Sequence, residues 1–270
     1  LPPEVSIITV YYNTPEDLKK LSDSIKTHLP TDLYEWIVAD NNSAEDMSAK
    51  LTGANYLRFT ENYGFGKSNN LAAEKAKGPY LFFVNPDCEF IENCIPALLA
   101  VMKDAAIAGP RVLNPDGSLQ LSFGRYLSIC KEAQQKKRMQ NEQTPQVQNW
   151  IREMGTFSPD FISGCALMIR SDVFRKMGGF DPVFFLYHED VDICKRVSTS
   201  GHSIIYLSTA RIVHERNKSV NQIRERVNIE IRKSQLYYYR KHNSPLQLLL
   251  LKLYLTLKFA GNREMLRVIW

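Results

Sequence analysis

The first 110 residues alternate two kinds of segment, and this alternation constrains the fold more than any other feature of the chain. Residues 5–10 form a short apolar run rich in β-branched side chains. Thr14-Pro15-Glu16-Asp17 then supplies an N-cap residue, a proline at the first helical position and an acidic first turn. Residues 36–39 and 56–59 read as second and third strands, and 67–76 as a helix with Leu71 on its apolar side. Gly78-Pro79 breaks that helix before a continuous apolar strand over 80–84. Uninterrupted apolar strands between helices are what a parallel sheet covered on both faces requires. The expected fold class is therefore α/β, a mostly parallel sheet flanked by helices. Ligands of such open sheets collect beyond the carboxyl ends of the strands. Polar residues cluster at those ends here: Tyr12 and Asn13, Asp40 to Ser43, Glu61 to Lys67, and Asn85 to Asp87.

Beyond the turn Asn114-Pro115-Asp116-Gly117 the character changes. Residues 131–149 are polar, rich in Gln and Lys, and read as a mobile loop or loosely held helix placed to act as a lid or acceptor loop. A strand over 161–169 and a helix over 171–177, capped by Ser171 and ended by Gly178-Gly179, come next. A helix over 189–199 and a strand over 204–207 follow. From Val220 the pattern is helical, with Pro245 separating two segments. Residues 246–259 are apolar nearly all round, interrupted by Lys252 and Lys258. That segment falls short of the roughly 20 apolar residues a bilayer span needs. It reads equally as an interfacial helix with snorkelling lysines or as a helix packed on its own domain or a partner.

At 270 residues, 44% apolar and 23% charged, the chain has room for one α/β domain with a helical extension. Its net charge of +5 is unevenly spread: residues 211–270 hold 13 Lys and Arg against 4 Asp and Glu, leaving −4 for residues 1–210. A basic tail on a mildly acidic body suits contact with an anionic surface such as a membrane, and equally a solvated basic helix face. Nucleic acid is not expected as a partner, because the basic excess is confined to the tail and carries no aromatic-basic motif. Five scattered cysteines without metal-ligand spacing point to free thiols in a reducing, cytoplasmic compartment. The chain opens at Leu1-Pro2-Pro3 without a signal-peptide pattern or an initiator Met, as expected of a stretch cut from a longer protein.

Two acidic stations carry the chemistry. Asn85-Pro86-Asp87 follows a buried strand, where a carboxylate facing the ligand crevice can hold a divalent cation, although all three residues also favour a plain turn. His188-Glu189-Asp190-Val191-Asp192 sets three carboxylates at a helix start, which capping alone would explain. The preceding Phe184-Phe185-Leu186-Tyr187 makes a solvated cap a poorer account, since an aromatic wall raises the proton affinity of a carboxylate beside it. His214 follows a further strand-like stretch. Asp40-Asn41-Asn42-Ser43 offers acceptors to a base or ribose and is equally a turn. In the loop over 62–70, backbone N–H groups and Lys67 are candidates to approach phosphates, but it is neither a Walker loop nor a dinucleotide fingerprint.

In order, the stretches Val5-Ser6-Ile7-Ile8-Thr9-Val10-Tyr11-Tyr12-Asn13, Val38-Ala39-Asp40-Asn41-Asn42-Ser43, Asn62-Tyr63-Gly64-Phe65-Gly66 with Asn69-Asn70, Asn85-Pro86-Asp87, Ser163-Gly164-Cys165 through Arg170, and Gly179-Phe180-Asp181 running into His188-Glu189-Asp190 resemble the family 2 glycosyltransferases. The resemblance is to the bacterial branch that builds rhamnose-containing surface polysaccharides, and it covers residues 4 to about 215. It implies a GT-A fold over 1–215, with a nucleotide-sugar-binding half (1–110), an acceptor-binding, catalytic half (111–215), and a basic helical extension over 216–270. It further implies that Thr9, Tyr12, Asp40 and Asn42 line the nucleotide pocket, and that Asn62, Lys67, Asn70 and Asn85 border the donor. Asp87, with His214, would hold Mg2+ or Mn2+. Asp190 would be the catalytic base, with Glu189 as acceptor-binding partner. Many relatives carry Asp-X-Asp where Asn85 replaces the first acid, which weakens the expected hold on metal.

The implied donor is dTDP-rhamnose first and a UDP-hexose second. The implied acceptor is a hydroxyl of a glycan or polyprenyl-linked glycan, reached at the inner face of the cytoplasmic membrane. A competing reading is an inactive GT-A domain that binds nucleotide sugar or a partner. A nucleotidyltransferase lacks support because Tyr11-Tyr12-Asn13-Thr14-Pro15 carries neither the Gly nor the Arg/Lys its first loop needs, and a dehydrogenase lacks its fingerprint.

Overall fold

A computed structural model describes residues 2–216 and 224–270. The strands are β1 (Val5–Tyr11), β2 (Tyr34–Asp40), β3 (Ala54–Arg58), β4 (Tyr80–Val84), β5 (Cys88–Phe90), β6 (Ile107–Leu113), β7 (Leu119–Gln120), β8 (Phe123–Gly124), β9 (Phe161–Ile162), β10 (Ala166–Arg170) and β11 (Ile204–His214). The helices are α1 (Pro15–His28), α2 (Gly64–Ala73), α3 (Ile95–Val101), α4 (Ile129–Gln140), α5 (Pro145–Glu153), α6 (Ser171–Lys176), α7 (Glu189–Thr199), α8 (Arg224–His242), α9 (Pro245–Lys258) and α10 (Arg263–Ile269).

The main sheet runs β3-β2-β1-β4-β10-β6-β11-β5, with β7 on β6. It is parallel from β3 to β4, the part the strand–helix alternation foretold. Beyond β4 it is mixed, because β10 runs antiparallel to both β4 and β6 while β11 returns parallel to β6. One face buries Ile7, Val38, Phe82 and Met168 with Leu18, Leu21 and Leu98 of α1 and α3. The other buries Ile8, Ile37, Phe83 and Ile169 against Ala72, Phe174, Ile193 and Val197. The alternate residues of each strand thus face opposite helical layers, as a two-sided sheet demands.

Several expected boundaries move. The strand over 161–169 is two strands, separated where Ser163-Gly164-Cys165 turns its backbone toward the carboxyl end of β4. There the Asn85 N–H donates to the Cys165 carbonyl at 2.9 Å. Residues 131–149 take the helical of the two alternatives, forming most of α4, which buries no residue, and the start of α5. Ser171 is the first helical residue of α6 and not its cap, and its hydroxyl is buried without a partner. Leu71 is only half-buried, and alanines 72, 73 and 76 make the contact with the sheet. Pro245 starts α9 as expected, whereas α10, whose cap Asn262 accepts from the Met265 N–H, was not foreseen. The helical reading at residues 220–223 lies outside the described residues.

The three C-terminal helices pack on one another, and Phe184 and Val191 join Leu236, Tyr238, Tyr239, Leu251 and Leu255 in their apolar layer. Charge fixes the same junction. Asp192 of α7 is fully buried and meets Arg196 Nε at 2.7 Å, Lys241 Nζ at 2.8 Å and His242 Nε2 at 2.7 Å. Burial alone would raise its pKa, but His242, Arg196 and Lys241 outweigh burial and hold it at about 2. The third acid of the His188–Asp192 station is therefore a structural anchor for the extension.

Candidate active site

A cleft of about 1030 Å³ opens where the polar strand ends converge. Tyr12, Asn41, Asn62 and Asn85 to Asp87 form its sheet side, Ser163 to Cys165 its floor, Phe185 to Val191 one wall, and residues of α4 the other. Both acidic stations face this single space, which no local pattern could have told.

The first station is assembled by strand pairing. β5 runs antiparallel to β11 with Cys88 opposite His214, and this register carries Asp87 to His214. His214 Nε2 lies 3.2 Å from Asp87 Oδ1. On the other ring nitrogen, Nδ1 lies 2.7 Å from Gln120 Oε1. The Gln120 amide nitrogen already donates to Asn114 Oδ1 and the His214 carbonyl, so its oxygen accepts and Nδ1 must carry a proton. With Nδ1 bound to Gln120, a proton on Nε2 is shared with Asp87, and on losing it His214 turns a bare Nε2 lone pair toward that carboxylate, where a cation can take the proton's place. In the ion-free site, burial opposes a charge on His214, but Cys165 and Asp87 outweigh it and push its pKa up to about 10. Ligand atoms of Asp87, Cys88 and His214 all lie within 4.8 Å of one another. The carboxylate and the oriented imidazole fit a divalent cation such as Mg2+ or Mn2+. Cys88 is a poor third ligand, because burial holds its pKa well up and the thiol donates to the Cys165 carbonyl.

The second station is a pair of carboxyl groups in unlike surroundings. Tyr187 and His188 both adopt left-handed backbone, with φ of 67° and 71°, which turns the chain sharply into α7 and aims its first residues at the cleft. Asp190 accepts from the Gly164 N–H at 2.9 Å through Oδ2 and from the Val191 N–H at 2.8 Å through Oδ1. Glu189 is buried, and its Oε2 has no partner. Burial raises both pKa values, but for Glu189 the neighbouring Asp190 raises it further, whereas two backbone N–H groups favour the Asp190 anion. Of the two, Asp190 is the better-stabilised anion and Glu189 the firmer holder of a proton. His188 is half-buried with its Nε2 shielded from solvent, and its pKa is lowered to about 4 by that desolvation and by Arg232.

The donor side needs several corrections. Thr9 is fully buried, accepting from Trp36 Nε1 at 3.1 Å, so it braces β1 against β2 and does not reach the cleft. Asp40 is fully buried too, its oxygens taken by the Ser43 N–H and the Tyr56 hydroxyl, each at 2.7 Å. It shapes the loop after β2. Asn42 is exposed, and its neighbour Asn41 is the organiser: it accepts from the Tyr63 N–H and the Ser68 hydroxyl and donates to Asn62 Oδ1. Lys67 is exposed, 3.9 Å above the Tyr63 ring. Asn70 is spent on both backbone groups of Phe180. Tyr12, Asn62, Asn85, Asp87, Glu189, Asp190 and His214 do line the cleft. Residues missed from the sequence are Gln120, Gly164 and Arg216, the last lining the cleft while paired with buried Glu142 at 2.8 Å. Gln120 and Arg216 sit in no recognisable local pattern, whereas Gly164 lies in the Ser163-Gly164-Cys165 stretch and only its contact with Asp190 was not legible.

The glycine loop is not a phosphate cradle. The Phe65 N–H donates to the Phe185 carbonyl at 2.8 Å, and the Tyr63 and Gly64 N–H groups go to side chains of Asn41 and Asn62. Gly64 has φ +78°, and a Cβ there would lie 2.2 Å from the Phe185 carbonyl oxygen. The loop therefore docks the wall that carries the acid pair. Gly64→Ala is expected to destabilise the protein by on the order of 2–3 kcal/mol and lower its melting temperature by roughly 5–10 °C. An unchanged thermal melt would mean that this contact does not hold the wall.

An α/β sheet with a cation-competent Asp–His pair at its strand ends and a buried acid pair across one cleft is compatible with an enzyme that transfers a group from a phosphate-bearing donor. The chain belongs to the glycosyl transferase family 2, whose model matches residues 6–177, and it is a nucleotide-sugar-dependent glycosyltransferase. Among curated proteins it resembles the low-salt glycan biosynthesis hexosyltransferase Agl10 of Haloferax volcanii, at 23% identity over 82% of this chain and 69% of that protein. It also resembles the N-acetylglucosaminyl-diphospho-decaprenol L-rhamnosyltransferase of Mycobacterium tuberculosis, at 24% identity over 80% of this chain and 77% of that one. The rhamnosyltransferase WbbL of Escherichia coli is 22% identical over 78% and 83%. Among solved structures, GalNAc-T7 with UDP, GalNAc and Mn2+ shares the fold at a TM-score of 0.60 and 19% identity, over 79% of this chain and 44% of that one.

Proposed function

We propose that this chain is an inverting glycosyltransferase that moves a sugar, rhamnose from dTDP-rhamnose first and a hexose from a UDP-hexose second, to a hydroxyl of a glycan in surface polysaccharide synthesis. The observation that carries the proposal is the opposition, within one cleft, of a cation-competent Asp87–His214 pair and a carboxylate, Asp190, whose proton-bearing neighbour is Glu189. Residues 1–110 would hold the nucleotide diphosphate through Tyr12, Asn62 and Asn85, and residues 111–215 the acceptor. Asp190, oriented by the Gly164 and Val191 N–H groups, takes the proton of the attacking hydroxyl while that oxygen displaces the diphosphate from the opposite face of the sugar. Glu189, keeping its proton, donates to an acceptor oxygen and holds the sugar in line. A divalent cation at Asp87 and His214 would offset the negative charge that grows on the leaving diphosphate, as Mn2+ accompanies UDP in the GalNAc-T7 structure.

The likeness to a rhamnosyltransferase acting on N-acetylglucosaminyl-diphospho-decaprenol favours a glycan on a polyprenyl diphosphate carrier as the acceptor class. With such an acceptor, the reaction would take place at the inner face of the cytoplasmic membrane. No helix among the described residues is long and apolar enough to cross a membrane. The test is a melting-temperature screen of the protein against nucleotide sugars with and without Mn2+. A donor at a hundred times its Kd should add about 2.7 kcal/mol of stability. The expected result is a Mn2+-enhanced shift with dTDP-rhamnose or a UDP-hexose. Shifts with neither, and one with a dinucleotide instead, would overturn the reading.

A further inference from the structure

The two faces of α9 explain why its sequence is apolar all round. Leu251 and Leu255 are buried against α8 and α10, with Leu248 and Phe259 beside them. The opposite face carries Leu246, Leu249, Leu250, Leu253 and Leu257 at helical spacing, and it is open to solvent, with Leu246 64% and Leu257 80% exposed. Helical geometry sets Lys252 on one edge of this leucine stripe and Lys258 on the other. Lys252 stacks on the exposed ring of Trp270 at 4.7 Å, and Lys258 lies 6.0 Å from the exposed ring of Tyr254. Neither lysine has an acidic partner among the described residues. Beside the Lys252 edge, Lys233, Arg240 and Trp270 line a shallow groove between α8 and α10.

We propose that this face docks the enzyme on an anionic phospholipid bilayer, with α9 lying in the interface, its leucine stripe among the acyl chains and its flanking lysines at the phosphates. The charge pattern selects the bilayer over a second copy of the chain. Lysine is depleted from the cores of protein interfaces, whereas a leucine row edged by lysines, with Trp and Tyr at its margins, matches the depth profile of a lipid surface. Lys258 and Arg232 share the Phe259 ring, at 5.3 and 6.0 Å. Lys136, which lines the cleft, is near enough to disfavour the charge on Lys258, after burial and Arg232. Cationic side chains of α4, α8 and α9 thus lie between the docking face and the cleft. The inference deepens the membrane placement proposed above and rests on that placement alone, not on the identity of the donor.

The experiment is co-sedimentation of the whole chain with vesicles of phosphatidylcholine alone or with roughly a third phosphatidylglycerol. Binding to the anionic vesicles should exceed binding to the neutral ones by roughly tenfold or more, and each of Lys252→Ala and Lys258→Ala should weaken it by roughly fivefold. Leu253→Asp with Leu257→Asp should abolish it while leaving the melting temperature and its donor-induced shift unchanged, since both side chains are exposed. Absence of wild-type binding, equal binding to both vesicle types, or a monomer–dimer equilibrium broken by the leucine variants without vesicle binding would each overturn the proposal. The donor-induced shift is read on the same samples, so a failure to bind vesicles is distinguishable from a failure of the transferase reading.

Discussion

Asp190→Asn is expected to lower sugar transfer by about 10²–10⁴-fold, the usual contribution of a positioned general base, while nucleotide binding stays near that of the wild type. The change is not silent for the fold. Both oxygens of Asp190 accept backbone N–H groups, from Gly164 and Val191. An amide offers only one oxygen, so one N–H must face an NH2 group, at a cost of about 1–3 kcal/mol. The measurement therefore pairs initial rates at saturating donor with a thermal melt and a nucleotide-binding titration. A variant that folds, binds nucleotide and still transfers at the wild-type rate would remove Asp190 from the chemistry. Glu189 would then be the remaining carboxyl group, still held toward its protonated form by burial but relieved of the Asp190 charge that raises its pKa in the wild type.

Asp87→Ala should act on the other half of the reaction. It removes the carboxylate facing His214 Nε2 and should cut Mn2+-dependent donor binding by roughly 10–100-fold, the usual range for altering a metal's immediate support. The same site predicts a pH dependence in the wild type. Free His214 holds its proton up to about pH 10, because Cys165 and Asp87 outweigh the burial that opposes its charge. A divalent ion must displace that proton. The sign is then fixed: apparent Mn2+ affinity rises with pH, by about tenfold per unit below the histidine's pKa for one proton released. Calorimetry in buffers of different ionisation enthalpy reads the released proton directly. Unchanged Mn2+-dependent donor binding in Asp87→Ala, or Mn2+ binding that ignores pH between 6 and 8, would count against this ligand pair.

Much of this site was legible before the structure. The strand–helix alternation located the polar strand ends, and those ends supplied Tyr12, Asn62, Asn85 and Asp87 to the cleft. What was not legible was the direction in which each side chain faces. Thr9 and Tyr12 are three residues apart, yet one braces Trp36 from within the sheet and the other lines the cleft. Asn41 and Asn42 are adjacent, and a left-handed backbone at Asn42, with φ of 65°, turns Asn42 outward while Asn41 stays buried. The glycine loop looked like a phosphate cradle because such loops share its composition. Its N–H groups prove to be spent on Phe185, Asn41 and Asn62.

By itself the sequence determined the parallel half of the sheet, the position of both acidic stations at element boundaries, and the apolar character of the last helices, because each rests on residue spacing within one element. Only the tertiary structure decided that the stations share a cleft. That required β5 and β11 to pair with Cys88 opposite His214, and the Ser163–Cys165 backbone to present its Gly164 N–H to Asp190. It also decided which of two neighbouring acids bears the proton, since Glu189 and Asp190 differ in their burial partners and not in their sequence surroundings. Contacts of this kind join residues far apart along the chain, and local propensity carries no record of them.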